Sequence, residues 1–166
     1  MASGDILAVF TPHQNEPPAA SFATFDTRNG YPVLDFDDAS DEAAIFRGFC
    51  PTNYSGGGFT VIVLWMATTA TSGAISLDVA FMSVTDDADD LDTKAFAAFN
   101  NANPTTASAS GEVDYATVTF TDGADSDSVA AGELFFLKVQ RDGNGTTSTD
   151  DMSGDMELVQ VIVKET

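Results

Sequence analysis

The sequence predicts an all-β protein, an antiparallel β-sandwich of jelly-roll type with about eight strands. Short segments in which apolar and polar residues alternate recur along the 166 residues. Residues typical of turns separate these segments, and no long stretch has the periodicity of a helix. A chain of this length also fits one domain with a continuous core.

The most apolar run, Phe59–Met66, is the predicted central strand. Phe59, Val61, Val63 and Trp65 fall on one side of an extended chain, and the other side is also largely apolar. A run that is apolar on both sides predicts a strand packed on both faces. Turn residues at both ends favour a strand over a buried helix.

The N-terminal residues 1–22 are predicted to form an arm, followed by one sandwich domain over residues 23–166. The arm contains the apolar segment Ile6–Phe10 and then prolines at 12, 17 and 18. These prolines are expected to hold the arm away from its own sheet. Because an exposed apolar strand needs cover, we expect the arm to pack at a subunit interface.

The other predicted strands follow the same alternation. Asn29-Gly30 marks a tight hairpin between the first two of them. Acidic loops are predicted at Thr85–Asp92 and Asp122–Gly132, a helical turn or irregular segment at Thr93–Phe99, and a loop at Asn100–Gly111. The strands are predicted at Ala23–Asp26, Tyr31–Phe36, Ala43–Cys50, Ile75–Met82, Val113–Thr121, Glu133–Arg141 and Met156–Lys164.

The composition disfavours several kinds of partner. A formal net charge of -20 repels phosphate backbones and anionic lipids, so no nucleic acid and no membrane partner is expected. No apolar run approaches the length needed to cross a bilayer, and no export signal is recognised. Cys50 is the single cysteine, which excludes an intramolecular disulfide, and its apolar setting predicts a buried, inert thiol.

No segment predicts catalytic, cofactor-binding or metal-binding residues. The lone His13 has no partner motif, and Gly56–Gly58 precedes a strand, unlike a phosphate-binding loop. Asp142–Thr146 begins like a calcium loop but lacks the required glycine and glutamate. The acidic loop residues are predicted to be solvated instead, namely Asp86, Asp87, Asp89, Asp90, Asp122, Asp125 and Asp127. We therefore expect no enzyme activity.

Four motifs resemble small virion proteins of tailed phages: Tyr31–Asp37, Asp41–Phe46, Asn53–Gly58 and Ala130–Leu134. They are similar to jelly-roll decoration (cement) proteins from phages of cyanobacteria and other environmental bacteria. The resemblance implies a homotrimer, made in the host cytoplasm, that binds the outer capsid surface. There it would stabilise the head by bridging subunits of the major capsid protein. A tail- or fibre-associated virion protein would share these motifs.

A carbohydrate-binding β-sandwich is the alternative from another class. It requires exposed aromatic side chains that stack on sugars, and the candidates are Tyr31, Tyr54, Tyr115 and Trp65. Trp65 falls within the predicted buried strand. A glycosidase with paired carboxylates is a third alternative, but sequence proximity selects no pair among 26 acidic residues.

Overall fold

The computed structural model describes residues 2–166 as two antiparallel β-sheets packed face to face. This architecture confirms the predicted jelly-roll β-sandwich. Within these residues, helical structure is limited to two single 3-10 turns at Pro12–Gln14 and Ala124–Ser126. The ten strands are β1 (Ile6–Phe10), β2 (Thr24–Arg28), β3 (Tyr31–Phe36), β4 (Glu42–Phe49), β5 (Phe59–Ala67), β6 (Leu77–Val84), β7 (Asn100–Ala102), β8 (Asp114–Phe120), β9 (Leu134–Arg141) and β10 (Met156–Glu165).

One sheet has six strands and the other has four. The six-stranded sheet runs β2-β3-β10-β5-β8, with β1 also paired to β10, and the four-stranded sheet runs β4-β9-β6-β7. The first part of β10 pairs with β3 through Met156–Leu158, and its later part pairs with β1 from Val161 to Lys164. β1 and β3 therefore lie end to end along one side of β10.

The position of β1 corrects the prediction for the arm. Ile6–Phe10 pairs with its own β10, and the Phe10 ring stacks on Phe46 inside the core at a centroid distance of 5.4 Å. Pro12 does not prevent this, because it begins a 3-10 turn only after the strand is complete. The Glu16 N–H then donates to the Ile45 carbonyl oxygen at 2.7 Å, which fixes the segment on the sandwich. The boundary at residue 22 stays a prediction, and Met1 lies outside the described residues.

The predicted central position of Phe59–Met66 is confirmed, because β5 lies between β10 and β8. Its inward side chains, which include Trp65, are buried between the sheets. The prediction that both of its faces are packed is wrong: Thr60, Ile62 and Leu64 point outward and remain partly exposed. A two-layer sandwich covers one face of each sheet, so the second face of β5 has no layer of its own chain above it.

The structure adds two strands to the eight predicted. One is β1, and the other is β7, Asn100–Ala102, where a loop was predicted. β7 contains no strong strand former and pairs with Leu77–Val79 at the sheet edge. Thr93–Phe99 adopts the irregular alternative. In the part of the chain described, no helix has the length and apolarity that spanning a membrane requires.

Candidate functional site

The four aromatic residues proposed for sugar stacking divide into two exposed and two buried. Tyr31 and Tyr115 are 71% and 64% exposed. Tyr54 is buried, stacks on Phe59 and accepts a hydrogen bond from the Gly58 N–H. Trp65 is fully buried, as predicted. Tyr31 and Tyr115 are therefore the two tyrosines of this set that a ligand can reach.

Both exposed tyrosines lie on the outer face of the six-stranded sheet. A cavity of about 300 Å³ beside Tyr31 is lined mainly by Val33, Met66, Val113 and Val159, together with Arg28. The Arg28 guanidinium is already used, because it donates to a Glu157 carboxylate oxygen and to the Ala67 and Thr68 carbonyl oxygens. This face offers apolar surface and rings, but the guanidinium group beside this cavity is already occupied by acceptors of its own chain.

The outer face of the four-stranded sheet carries a different set of side chains. Along β9, Phe136, Lys138 and Gln140 point outward because they alternate with buried residues. Strand pairing places Arg47 of β4 next to Phe136, and Ile45 next to Lys138. Phe49, at the end of β4, is 59% exposed. Aromatic and polar groups therefore alternate across this open sheet surface.

The irregular segment before β7 brings two further phenylalanines to the same face. The Ala97 N–H donates to the Phe81 carbonyl oxygen at 2.9 Å, which holds the segment along the edge of β6. The Lys138 ammonium nitrogen lies 5.9 Å from the ring centroid of Phe96 and 5.1 Å from that of Phe99. We define the aromatic face as Phe49, Phe96, Phe99, Phe136 and Lys138.

Lys138 is the central polar group of the aromatic face. Within residues 2–166 its ammonium group forms no hydrogen bond or ion pair, and its contacts are the two rings. Burial lowers the pKa of Lys138, against the opposing effect of Asp41 and Asp78. A partly buried ammonium group without an acceptor is a hydrogen-bond donor available to a ligand.

One end of this face is lined by polar groups that are held in place. Asp78 is buried and accepts hydrogen bonds from Asn101 Nδ2 at 2.7 Å and from Thr147 Oγ1 at 3.2 Å. Burial raises the pKa of Asp78, and these two hydrogen bonds oppose that effect. Gln140 lies next to Asp78 in the strand register. Amide, hydroxyl and carboxyl groups therefore border the rings.

The loop that supplies Thr147 is anchored by a buried ion pair. Arg141 donates to both oxygens of Asp150, at 3.0 and 2.7 Å, and to the Met152 and Gly154 carbonyl oxygens. Asp142, the first residue of the sequence that resembles a calcium loop, accepts hydrogen bonds from Thr146 and Thr147. This carboxylate is therefore already hydrogen-bonded within its own loop.

Carboxylates of the acidic loops also form ion pairs and hydrogen bonds within the chain. Asp89 and Asp127 form ion pairs with Lys94 at 3.1 and 3.2 Å, and Asp125 accepts a hydrogen bond from the Thr121 N–H.

A further acidic cluster escaped the sequence analysis because its members are distant in the chain. Oxygens of Asp37, Asp38 and Asp155 lie within 4.8 Å of one another.

Cys50 and His13 are the residues that the sequence offers for nucleophilic or acid–base chemistry, and both pack against other side chains of the protein. Cys50 is fully buried, as predicted, and burial raises its pKa to about 11, with Glu133 adding to the effect. The thiol is therefore poorly reactive at neutral pH. The His13 ring packs against Phe25 at a centroid distance of 5.0 Å.

No protein-family model matches the sequence, and no curated protein is similar enough in sequence to count as a relative. Solved structures share the fold. The CBM22-1 xylan-binding domain of Xyn10C from Paenibacillus barcinonensis superposes with a TM-score of 0.53 and 11% identity, over 99% of this chain and 96% of that domain. A second xylan-binding domain from CBM 22 gives a TM-score of 0.52 and 9% identity, over 97% and 95%.

A third similar structure is the Clostridium thermocellum endo-1,4-β-D-xylanase 10B, comprising CBM22-1 and GH10 modules in complex with xylohexaose. It matches with a TM-score of 0.51 and 9% identity, covering 100% of this chain and 29% of that one. At these identities the likeness establishes the β-sandwich fold.

The sequence analysis missed the aromatic face because it considered only tyrosine and tryptophan residues for sugar stacking. One signal was present: Phe136 and Lys138 alternate with Phe135 and Leu137, which places them on the opposite side of the strand. No local signal could have placed Phe96 and Phe99, because their segment has no periodic pattern and its position depends on contact with β6.

Proposed function

We propose that this protein is a carbohydrate-binding β-sandwich module that binds a neutral glycan on the aromatic face. The observation that carries the proposal is the unpaired Lys138 ammonium group, set between phenylalanine rings on an open sheet. The predicted alternative is therefore favoured over the capsid-decoration function.

The geometry suits the chemistry of a sugar ring. A pyranose has an apolar C–H face and a rim of hydroxyl groups, so it needs a flat apolar surface beside hydrogen-bonding groups. Phe49 and Phe99, which are 59% and 38% exposed, offer ring surface at opposite sides of the sheet. Lys138 lies beside the Phe99 ring, and Gln140 follows it on the same side of β9; both side chains can donate to hydroxyl oxygens.

The net charge of the protein supports a neutral ligand. A chain with a formal charge of -20 repels a polyanionic polysaccharide over the range of the Debye length. A neutral glycan experiences no such repulsion, and its binding should change little with ionic strength. The xylan-binding domains that share the fold make xylan the first neutral polymer to test.

The decisive experiment is isothermal titration of the protein with xylohexaose, cellohexaose and a polyanionic alginate oligomer. We expect binding of a neutral oligosaccharide with a Kd of about 10 µM to 1 mM and weaker binding of the alginate. Phe136→Ala should weaken the binding, whereas Tyr115→Ala on the opposite sheet should leave it unchanged. Failure to bind any neutral glycan, or equal affinity of the two variants, would refute the proposal.

The glycosidase alternative and the prediction of no enzyme activity are tested on the same ligands. Incubation with each oligosaccharide followed by chromatography detects cleavage products. We expect none, because the acidic groups described at the aromatic face are held by internal hydrogen bonds. Product formation that follows protein concentration would contradict this expectation.

Capsid decoration stays a prediction based on the sequence resemblance. The same holds for the homotrimer, the major capsid protein as partner and the outer capsid surface as location. Its physical support is the charge, because a protein with a formal charge of -20 is repelled by packaged DNA. Imaging undecorated heads after adding the protein tests it: ordered density on the outer surface would support decoration, and bare heads would refute it.

A further inference from the structure

A cavity of about 440 Å³ opens beside Phe49, at one end of the aromatic face. Strand pairing sets Phe49 and Val84 on either side of Leu134, and these three side chains form the apolar part of its lining. The Phe49 ring is open to a ligand, because this residue is largely exposed. The cavity therefore continues the apolar surface of the aromatic face.

The rest of the cavity lining is polar and includes Thr85, Asp86 and Glu133. The Glu133 carboxylate accepts hydrogen bonds from the hydroxyl groups of Ser83 and Thr85, both at 2.9 Å, and from the Ala130 N–H at 3.0 Å. Against the effect of burial, these three bonds lower the pKa of Glu133. Asp86 is exposed, and within residues 2–166 no hydrogen-bond donor contacts its carboxylate. One carboxylate of the cavity is thus held in place, and the other is open to a ligand.

We propose that this cavity is a second subsite for the glycan, and that it holds an uncharged sugar ring of the same chain that contacts Lys138. The inference rests on the proposed function and deepens it, because it makes the ligand an oligosaccharide instead of a monosaccharide. The C–H face of a pyranose can pack on the Phe49 ring while its hydroxyl groups donate to the Asp86 carboxylate.

The distance between the two subsites sets a minimum length for the ligand. Leu134, at the cavity, and Lys138 lie four residues apart on β9, which corresponds to about 13 Å along the strand. Phe136 lies midway between them on the same side of β9, so apolar surface is present along the whole path. One sugar ring cannot contact both ends, whereas a linear oligosaccharide can.

The charges at the two ends disfavour other ligands. Asp86 and Glu133 repel an acidic sugar, and Lys138 repels a basic peptide. A divalent cation lacks ligands, because the Glu133 oxygens already accept three hydrogen bonds and Asp86 is the one other carboxylate among the described residues that line the cavity. A neutral glycan chain encounters neither repulsion.

Titration calorimetry with ligands of two lengths tests the inference, using xylobiose against xylohexaose and cellobiose against cellohexaose. In the series that binds, we expect the hexaose to bind about tenfold more tightly than the disaccharide, because it fills both subsites. Phe49→Ala should weaken hexaose binding about tenfold. The same variant should weaken disaccharide binding at most about twofold, since a disaccharide can still bind beside Lys138.

Asp86→Ala is the variant specific to the cavity, because Asp86 does not belong to the aromatic face. It should weaken hexaose binding about fivefold by removing a charged hydrogen-bond acceptor. The matched control Asp92→Ala removes an exposed carboxylate of the same loop that does not line the cavity, and it should bind as the wild type does. Circular dichroism checks the fold of each variant.

The outcomes separate this inference from the proposed function. Equal affinity for the disaccharide and the hexaose would overturn the inference. So would hexaose binding that is weakened by Phe136→Ala but unchanged in Phe49→Ala and Asp86→Ala, and the proposed function would then still stand. If no oligosaccharide of either series bound, the proposed function and the second subsite would both be refuted.

Discussion

The outer surfaces of the two sheets are both rich in apolar residues, yet they differ in what lies between those residues. On the outer side of the six-stranded sheet, Ile62 lies next to Ile162, and Arg28 forms an ion pair with Glu157. On the four-stranded sheet, phenylalanine rings surround Lys138, which has no acceptor in the described structure. Apolar area alone therefore does not indicate the kind of partner. The two surfaces differ in the hydrogen-bonding groups that the chain leaves unused among the apolar residues.

The largest expected effect comes from neighbouring positions on β5. Trp65→Asp should abolish soluble expression, because an unpaired charge in the core costs more than about 4 kcal/mol. The Leu64 side chain points outward, so Leu64→Asp should alter the free energy of unfolding of the monomer by less than about 1 kcal/mol. Both variants are compared by their soluble yield and by thermal unfolding. If Leu64→Asp were equally insoluble, the outer side of β5 would belong to the core of the single chain.

The next test compares Arg28, which forms an ion pair, with Lys138, which does not. Arg28→Met leaves the nearly buried Glu157 carboxylate without its partner and should lower the free energy of unfolding by about 2 kcal/mol, after discounting for the exposed part of Arg28. Lys138→Met removes an ammonium group that has no partner, so the change should stay within about 0.5 kcal/mol. Urea unfolding at neutral pH distinguishes them. Equal losses in the two variants would show that Lys138 has a structural role.

The effect on ligand binding should be confined to the four-stranded sheet. Phe136→Ala removes stacking surface and should weaken neutral glycan binding about tenfold, equivalent to about 1.4 kcal/mol. Tyr31→Ala and Tyr115→Ala should bind the glycan as the wild type does. Titration calorimetry measures these affinities, and circular dichroism checks the fold. A loss of affinity in the tyrosine variants alone would move the glycan site to the six-stranded sheet.

A smaller effect is expected from Asp35, which lies beside Glu157 on the outer side of the six-stranded sheet. Burial, followed by repulsion from Glu157 and Asp26, raises the pKa of Asp35 from its ordinary value of 3.8 to about 6. The folded state holds the proton more tightly, so this contribution to stability is present below about pH 4 and is lost as the pH rises through about 6.

Asp35→Asn should therefore stabilise the protein at pH 7 by about 1 kcal/mol, reduced for solvent screening, and should change little at pH 4. Thermal unfolding of both proteins at the two pH values measures the difference. Destabilisation at pH 7 would show that the Asp35 carboxylate has a favourable contact.

Much of the fold was determined by local sequence patterns. Alternation predicted eight of the ten strands, the buried position of Trp65 and the order of the loops. These features follow from neighbouring residues, because side chains along a strand point to opposite faces whatever the strand pairs with. The burial of Cys50 was also predicted locally, from the apolar residues next to it in the sequence.

Tertiary structure decided which of these faces are covered and which side chains meet. The sequence showed that β5 is apolar on both sides, but only the packing of the sheets selected the side that holds Trp65. It also placed β1 beside β10, and Phe99 over Lys138. Strand pairing and the layering of sheets join residues that are distant in the chain. Several partners can satisfy the same local pattern, so the choice depends on the free energy of the whole packed structure.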